Sequence, residues 1–226
     1  MNFDIASAAL WAFPLLLAVV LHEWAHGYTA YRFGDPTAAS MGRLSLNPVV
    51  HVDPIGTIAM PLFLLLSGAP FLFGYAKPVP IGWQNLRNPV RDMVYVAAAG
   101  PAMNMVLAVG SAIIFGILTH TASPESLSYG TGAAGQGFAI AGPLAAMAWR
   151  SVLINVVLAV FNLLPIPPLD GGRVAVGLLP RNMAVALARL EPFGFVIVFG
   201  LLMTGVLGVV MGPVIQLVLG ALSVFM

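Results

Sequence analysis

His22 and His26 lie four residues apart in the run LHEWAHGY, and on a helix that spacing puts both imidazoles on one face, where they can bind one metal ion. Glu23 lies between them. Zinc held in this way lowers the pKa of a bound water from about 15.7 to about 7, and an adjacent glutamate can accept the proton as that water attacks a carbonyl. The expected role of Glu23 is therefore general base, not ligand. A catalytic zinc also needs a third protein ligand and an open position for water. The chain has no cysteine, so that ligand must be His, Asp or Glu.

His-Glu-x-x-His also arises by chance on the polar faces of soluble helices. Here the surroundings argue against chance. Of 226 residues, 60% are hydrophobic and 8% charged, with a mean hydropathy of +0.97, whereas a soluble domain carries roughly a quarter charged residues. Such a chain is solvated by lipid. Each charged group placed inside a lipid-embedded helix costs about 2 to 3 kcal/mol even on the gentlest insertion scale, so these residues are functional by default. Net charge is +1 and the nine Lys and Arg form no block, so nothing indicates a nucleic-acid surface and no nucleic-acid partner is expected.

The remaining acidic residues are Asp4, Asp35, Asp53, Asp92, Glu125, Asp170 and Glu191. Asp170 follows directly on a spanning run stopped by Pro165, Pro167 and Pro168, and it is the expected third ligand. Taken alone, Asp170-Gly171 reads better as an ordinary turn, and its neighbours argue for the ligand.

The elements that must position these residues follow from apolar runs of about 20 residues. Residues 5 to about 33 form one helical pattern, with Pro14 inside and Gly34 as a stop. The absence of basic residues before it and of a cleavage pattern after it marks this run as a retained span. Residues 35 to 54 are rich in Pro, Gly, Asn and Asp with short alternating stretches, and predict turns and short strands. Ile58 to Phe73 is apolar but short and interrupted by Pro61, Gly68 and Pro70, which suits a re-entrant segment. Met93 to Leu118 and about Leu144 to Leu164 are spans. They are joined by a Gly-, Ser- and Ala-rich loop with His120 at its start. Val174 to Arg189 suits an interfacial position, and 193–226 predicts one or two final helices with a break at Gly212-Pro213.

Arg32, Arg43, Lys77, Arg87 and Arg91 all fall between the first span and the one at Met93. Basic loops stay in the cytoplasm, so residues 33 to 92 are expected there and both ends of 58–73 must lie on that side. Seven residues separate His26 from a helix end near Phe33, placing the metal about 10 Å below that surface. The expected whole is one integral-membrane unit over 1–226: an all-α polytopic protein of about five to six transmembrane helices. It would have a three-helix core (about 5–33, 93–118 and 144–165), a re-entrant or β-like segment (about 40–73) and C-terminal helices (about 193–226).

HEWAH at 22–26 and NLLPIPPLDGGR at 162–173 resemble the two signatures of the site-2 protease family of intramembrane zinc metalloproteases. AGPAMN at 99–104 is similar to the Gly-Pro-x-x-Asn element of that family's intervening core helix. GDPTA, GRLSLNP, HVDPIGT and YAKPVP, at 34–38, 42–48, 51–57 and 75–80, further resemble a compact prokaryotic subgroup without PDZ or other appended domains. The resemblance implies one zinc per chain, held by His22, His26 and Asp170. It also implies Glu23 as base, and Asn162, with Asn104 a weaker carry-over, gripping substrate backbone or the developing oxyanion. The substrate would be a transmembrane protein or peptide, cut at the cytoplasmic side of a prokaryotic inner membrane.

Asn162 makes independent sense, because an amide near the metal can donate to an oxyanion; bonding a neighbouring helix is its other role. Packing beside Gly100 is the favoured role for Asn104. His51 and Asp53 could line the entrance or satisfy local backbone, the second being favoured. An unwound substrate could add as a strand to the segment at 40–60. The competing function is a metal or small-solute transporter whose His and Asp line a pathway. A transporter needs no base beside the first ligand, and no internal repeat is visible between the halves. A catalytically dead scaffold has no support, since every residue the protease chemistry requires is present.

Overall fold

The computed structural model describes residues 5–67, 74–122 and 140–226. Nine α-helices among them are α1 (Ile5–Arg32), α2 (Thr37–Ser40), α3 (Met60–Leu66), α4 (Pro89–Thr121), α5 (Ala141–Asn162), α6 (Asp170–Leu178), α7 (Arg181–Ala188), α8 (Gly194–Met203) and α9 (Val206–Leu222). Five stretches are long and apolar enough to cross a membrane: Ala9–Arg32, Pro89–Thr121, Ala141–Asn162, Arg181–Met203 and Val206–Phe225.

α1 continues through Pro14 and ends where Gly34 takes φ +106°, a conformation open to a residue without Cβ. α4 begins with Pro89 at its first position, where a missing N–H costs nothing, and continues past the expected end at Leu118 to Thr121. His120 is thus in the last turn of a helix, bonded to the Gly116 carbonyl, and not in a loop. Most of the expected loop at 119–143 lies outside the described residues. In the C-terminal region the break falls at Gly205, with φ +74°, while α9 runs on through Gly212 and Pro213.

α1, α4 and α5 form the core, with α4 antiparallel to both neighbours. Going along α1 from His22 to His26, the partner on α4 steps back from Asn104 to Val96. Going along α4 from Asn104 to Ser111, the partner on α5 steps back from Asn155 to Ser151. Small residues permit the close approach: Ala18, Ala108, Ala112 and Ala159 are essentially inaccessible. Ala108, Ala112, Val152 and Val156 continue into a cluster with Val198 of α8 and Leu207 and Met211 of α9.

The short strands expected at 40–60 are not formed, and no strand occurs among the described residues. Cap chemistry overrides the alternation there. Asn47 accepts from the Val49 N–H ahead of a helical turn started by Pro48. Asp53 accepts from the Ile55 and Gly56 N–H groups ahead of one started by Pro54. The chain then enters α3. Residues 68–73 lie outside the described residues, but the two ends of the excursion lie side by side. Tyr75 N–H bonds Gly56 O at 3.1 Å and Lys77 N–H bonds His51 O at 2.9 Å. The expected re-entrant course of 58–73 falls partly outside the described residues, and only its flanks are seen to meet.

Asp35 fastens the return of the chain toward α4. Its carboxylate accepts from Gly82 N–H at 2.7 Å, Asn85 Nδ2 at 3.0 Å and both the N–H and hydroxyl of Thr37. Burial works to raise its pKa, but the donors from Asn85, Thr37 and Gly82 outweigh it and hold the carboxyl below its ordinary value.

Candidate metal centre and its cavity

His22 and His26, two-thirds of the way along α1, meet Asp170 at the first position of α6. His22 Nε2 and His26 Nε2 lie 3.2 and 3.3 Å from Asp170 Oδ2, and 3.0 Å from each other. All three residues are buried.

The other ring nitrogens settle which face of each imidazole is bare. His22 Nδ1 lies 2.6 Å from Asn104 Oδ1, and the Asn104 amide nitrogen is committed to Ala18 O and Asn155 Oδ1. Asn104 must therefore accept, and His22 donates from Nδ1. Likewise His26 donates from Nδ1 to Val96 O at 2.7 Å. In the neutral rings both Nε2 atoms are then lone pairs, and they face a carboxylate oxygen that has no hydrogen-bond donor. Three acceptors packed this closely repel one another unless a cation sits among them. Tetrahedral zinc, at about 2.0 to 2.1 Å from each ligand, would separate its ligands by roughly 3.3 Å. The donor set, the tautomers and the spacing all fit that ion.

Glycines make the convergence possible. A Cβ on Gly100 would stand 2.3 Å from His26 Nε2 and 2.6 Å from His22 Nε2, so α4 can pass behind the histidines only as glycine. A Cβ on Gly171 would stand 2.2 Å from Leu163 O, and one on Gly172 2.4 Å from Pro167 N. The start of α6 is thereby pressed against the turn that ends α5, which brings Asp170 to the histidines.

Glu23 is held differently. Its Oε2 accepts from Val79 N–H at 2.8 Å, and its side chain lines a cavity of about 200 Å³ with His22, Tyr75, Asn162 and Leu169. Asn162 is the last residue of α5, its amide donating to Leu158 O at 3.0 Å. A second cavity, about 300 Å³, shares Val19, Tyr75, Ala76 and Leu158 with the first. Its wall includes Leu15 and Leu16 of α1, both nearly half exposed.

Asn104 does more than pack beside Gly100: it joins His22 to Asn155 across three helices. Asn155, fully buried with its amide on Ser151 O, is a residue that sequence reasoning missed. Its signal was present, since Ser151, Asn155 and Asn162 share one stripe of a helix whose only charged residue is Arg150. Asp53 satisfies local backbone. His51 is buried, bonds Ser45 O at 2.8 Å and also lines the second cavity.

The model of peptidase family M50 matches residues 10–205, and the chain belongs to that family, the site-2 proteases. It is 36% identical over 203 residues to "Putative zinc metalloprotease YwhC" of Bacillus subtilis, covering 89% of this chain and 84% of that protein. Over 190 residues it is 33% identical to "Putative zinc metalloprotease Rip2" of Mycolicibacterium smegmatis, covering 84% of this chain and 64% of that one. Rip2 of Mycobacterium tuberculosis is 28% identical over 185 residues, 80% of this chain and 61% of the relative. No solved structure matches. The protein is a polytopic membrane metalloprotease of the site-2 type.

Proposed function

We propose that this metalloprotease cuts peptide bonds of transmembrane substrates within the bilayer, near its cytoplasmic face, with His22, His26 and Asp170 as zinc ligands and Glu23 as general base. The observation that carries the reading is the convergence of three buried acceptors, two fixed in tautomer by Asn104 and Val96, beside a glutamate that opens on a cavity. Zinc bound there supplies Lewis acidity that polarises the scissile carbonyl and acidifies water.

The protein's own groups do the rest. Glu23 takes the proton of the attacking water at its carboxylate and passes it to the leaving amide nitrogen. Asn162, on the same cavity wall, holds the substrate backbone or donates to the oxygen that gains charge. A substrate helix has its backbone groups satisfied internally, so it must unwind before any peptide bond can enter. The adjoining apolar cavity, bounded by Leu15, Leu16 and Val19, offers an unwound segment a path from lipid to the site. The basic residues at 32–91 support the cytoplasmic orientation.

The test is metal content per chain in detergent for wild type, His22→Ala and Asp170→Ala, together with cleavage by Glu23→Gln. About one zinc in wild type, lost from both ligand variants, and a Glu23→Gln protein that keeps zinc but does not cleave are expected. A wild type that takes up no zinc on reconstitution, or a fully active Glu23→Gln, would overturn the reading.

A further inference from the structure

Residues 75–80, Tyr-Ala-Lys-Pro-Val-Pro, have no regular secondary structure, meet α1 at Glu23 and Gly27, and line different cavities before and after Lys77. Tyr75 and Ala76 line the cavity that holds Glu23. Pro78, Val79 and Pro80 line another, of about 860 Å³, against α4 and α6. The strap is fastened along its length. Tyr75 and Lys77 bond Gly56 O and His51 O. Arg43, itself buried, donates from Nη2 to Lys77 O at 2.8 Å and Pro78 O at 3.2 Å. No carboxylate pairs with that guanidinium among the described residues, so its charge serves the two strap carbonyls.

At residue 79 the strap touches the catalytic machinery. Val79 donates its N–H to Glu23 Oε2, and its buried side chain fills the space beside Gly27, where a Cβ would stand 3.0 Å from Val79 Cγ1. Pro78 and Pro80 have no N–H, and Pro80 biases Val79 toward extended backbone. Val79 therefore presents one donor with no neighbouring donor to compete for the carboxylate. Glu23 Oε1 makes no hydrogen bond to the described residues.

We infer that the Pro78-Val79-Pro80 strap is a positioning device for Glu23, in which the Val79 N–H fixes Oε2 so that Oε1 stays free to take a proton, and Arg43 holds the strap in register. The inference rests on the reading of Glu23 as base. A charge-assisted hydrogen bond from backbone sets one rotamer of the carboxylate, and partners of this kind are worth about 10- to 100-fold in activity.

The bond is tested without catalysis by magnetic resonance of the full chain in detergent, labelled with carbonyl-¹³C proline and ¹⁵N valine. The sequence has four Pro-Val pairs, at 48–49, 78–79, 89–90 and 213–214, so four amide signals are selected, and Val79→Ala identifies its own by loss. The Val79 amide proton is expected to move upfield in Glu23→Gln and further in Glu23→Ala, with the other three unmoved. A Val79 signal indifferent to both changes overturns the inference.

Kinetics on a membrane-spanning model peptide that the wild type cleaves gives the second arm. Val79→Pro, which removes the N–H at a position that Pro80 already biases toward extended backbone, should lower kcat about 10- to 100-fold with KM and zinc content unchanged. Val79→Ala keeps the N–H and should lose far less. Equal losses in the two would assign the effect to the side chain and overturn the inference. A fully active Glu23→Gln that still shifts the Val79 signal would instead sink the role of Glu23 and leave the bond standing.

Discussion

Asn104 holds His22 in one tautomer, and through Asn155 it ties that choice to α5. Replacing it by alanine leaves a buried imidazole N–H and the Asn155 carbonyl oxygen without their partners. The expected result is zinc affinity about 10- to 100-fold weaker, measured by competition with a chelator, in a protein that still folds. Asn162 predicts the opposite pattern, because it lies on the cavity wall and not behind a ligand. Asn162→Ala should keep wild-type zinc affinity and lose kcat/KM by about 100-fold, as when an oxyanion donor is removed. Equal zinc loss in both variants would show that Asn162 also supports the metal.

Among the elements, the turn between α5 and α6 is the one on which the site depends most. Asp170 does not belong to the helix that carries both histidines, and its place is set by how closely Gly171 and Gly172 let α6 approach Leu163 and Pro167. Gly171→Ala drives a methyl into the Leu163 carbonyl. It should destabilise the protein by about 1 to 3 kcal/mol, read as a lower Tm in detergent, and should displace Asp170 enough to reduce bound zinc. The strap and the turns at 48–59 are a second set of elements, and sequence reasoning misjudged part of them. Alternating residues such as Gly42 to Leu46 suggested short strands, but Asn47 and Asp53 sit before Pro48 and Pro54. Those cap-and-proline pairs start helical turns. The alternation was a weak local preference overruled by satisfied backbone donors.

For the molecule as a whole, the cytoplasmic orientation and the anchoring of the 35–85 segment can each be tested. The chain has no cysteine, so it is its own background for single-cysteine labelling. Cysteines at Pro36 and Arg87 should react with impermeant reagent from the cytoplasmic face of inverted vesicles, and not from the opposite face of sealed cells. The reverse pattern would refute the orientation. Asp35 ties the segment at 82–85 to the end of α1, and its folded pKa lies below the ordinary carboxylate value. A depressed pKa contributes stability that is present above the unfolded value, near 3.9, and is lost as pH falls through the folded one. Thermal stability in detergent should therefore hold level above about pH 5 and decline below about pH 4. Asp35→Asn should be less stable at neutral pH and show a shallower acid decline.

The sequence by itself determined that the chain lives in lipid, because composition and apolar run length have few other physical solutions. It also determined that two histidines share a helical face with a glutamate, because i and i+4 coincide on any α-helix. The choice of Asp170 came from the same source, since few acidic residues stand beside a proline-broken span. Only the tertiary structure decided that Asn104 and Asn155 serve His22, that Val96 serves His26, and that a strap 56 residues away in sequence holds Glu23. Those partners are brought together by helix crossings and close glycine contacts, and no local spacing encodes them. The antiparallel passage of α4 between α1 and α5, permitted by Gly100 and the buried alanines, turns separate polar residues into one connected site.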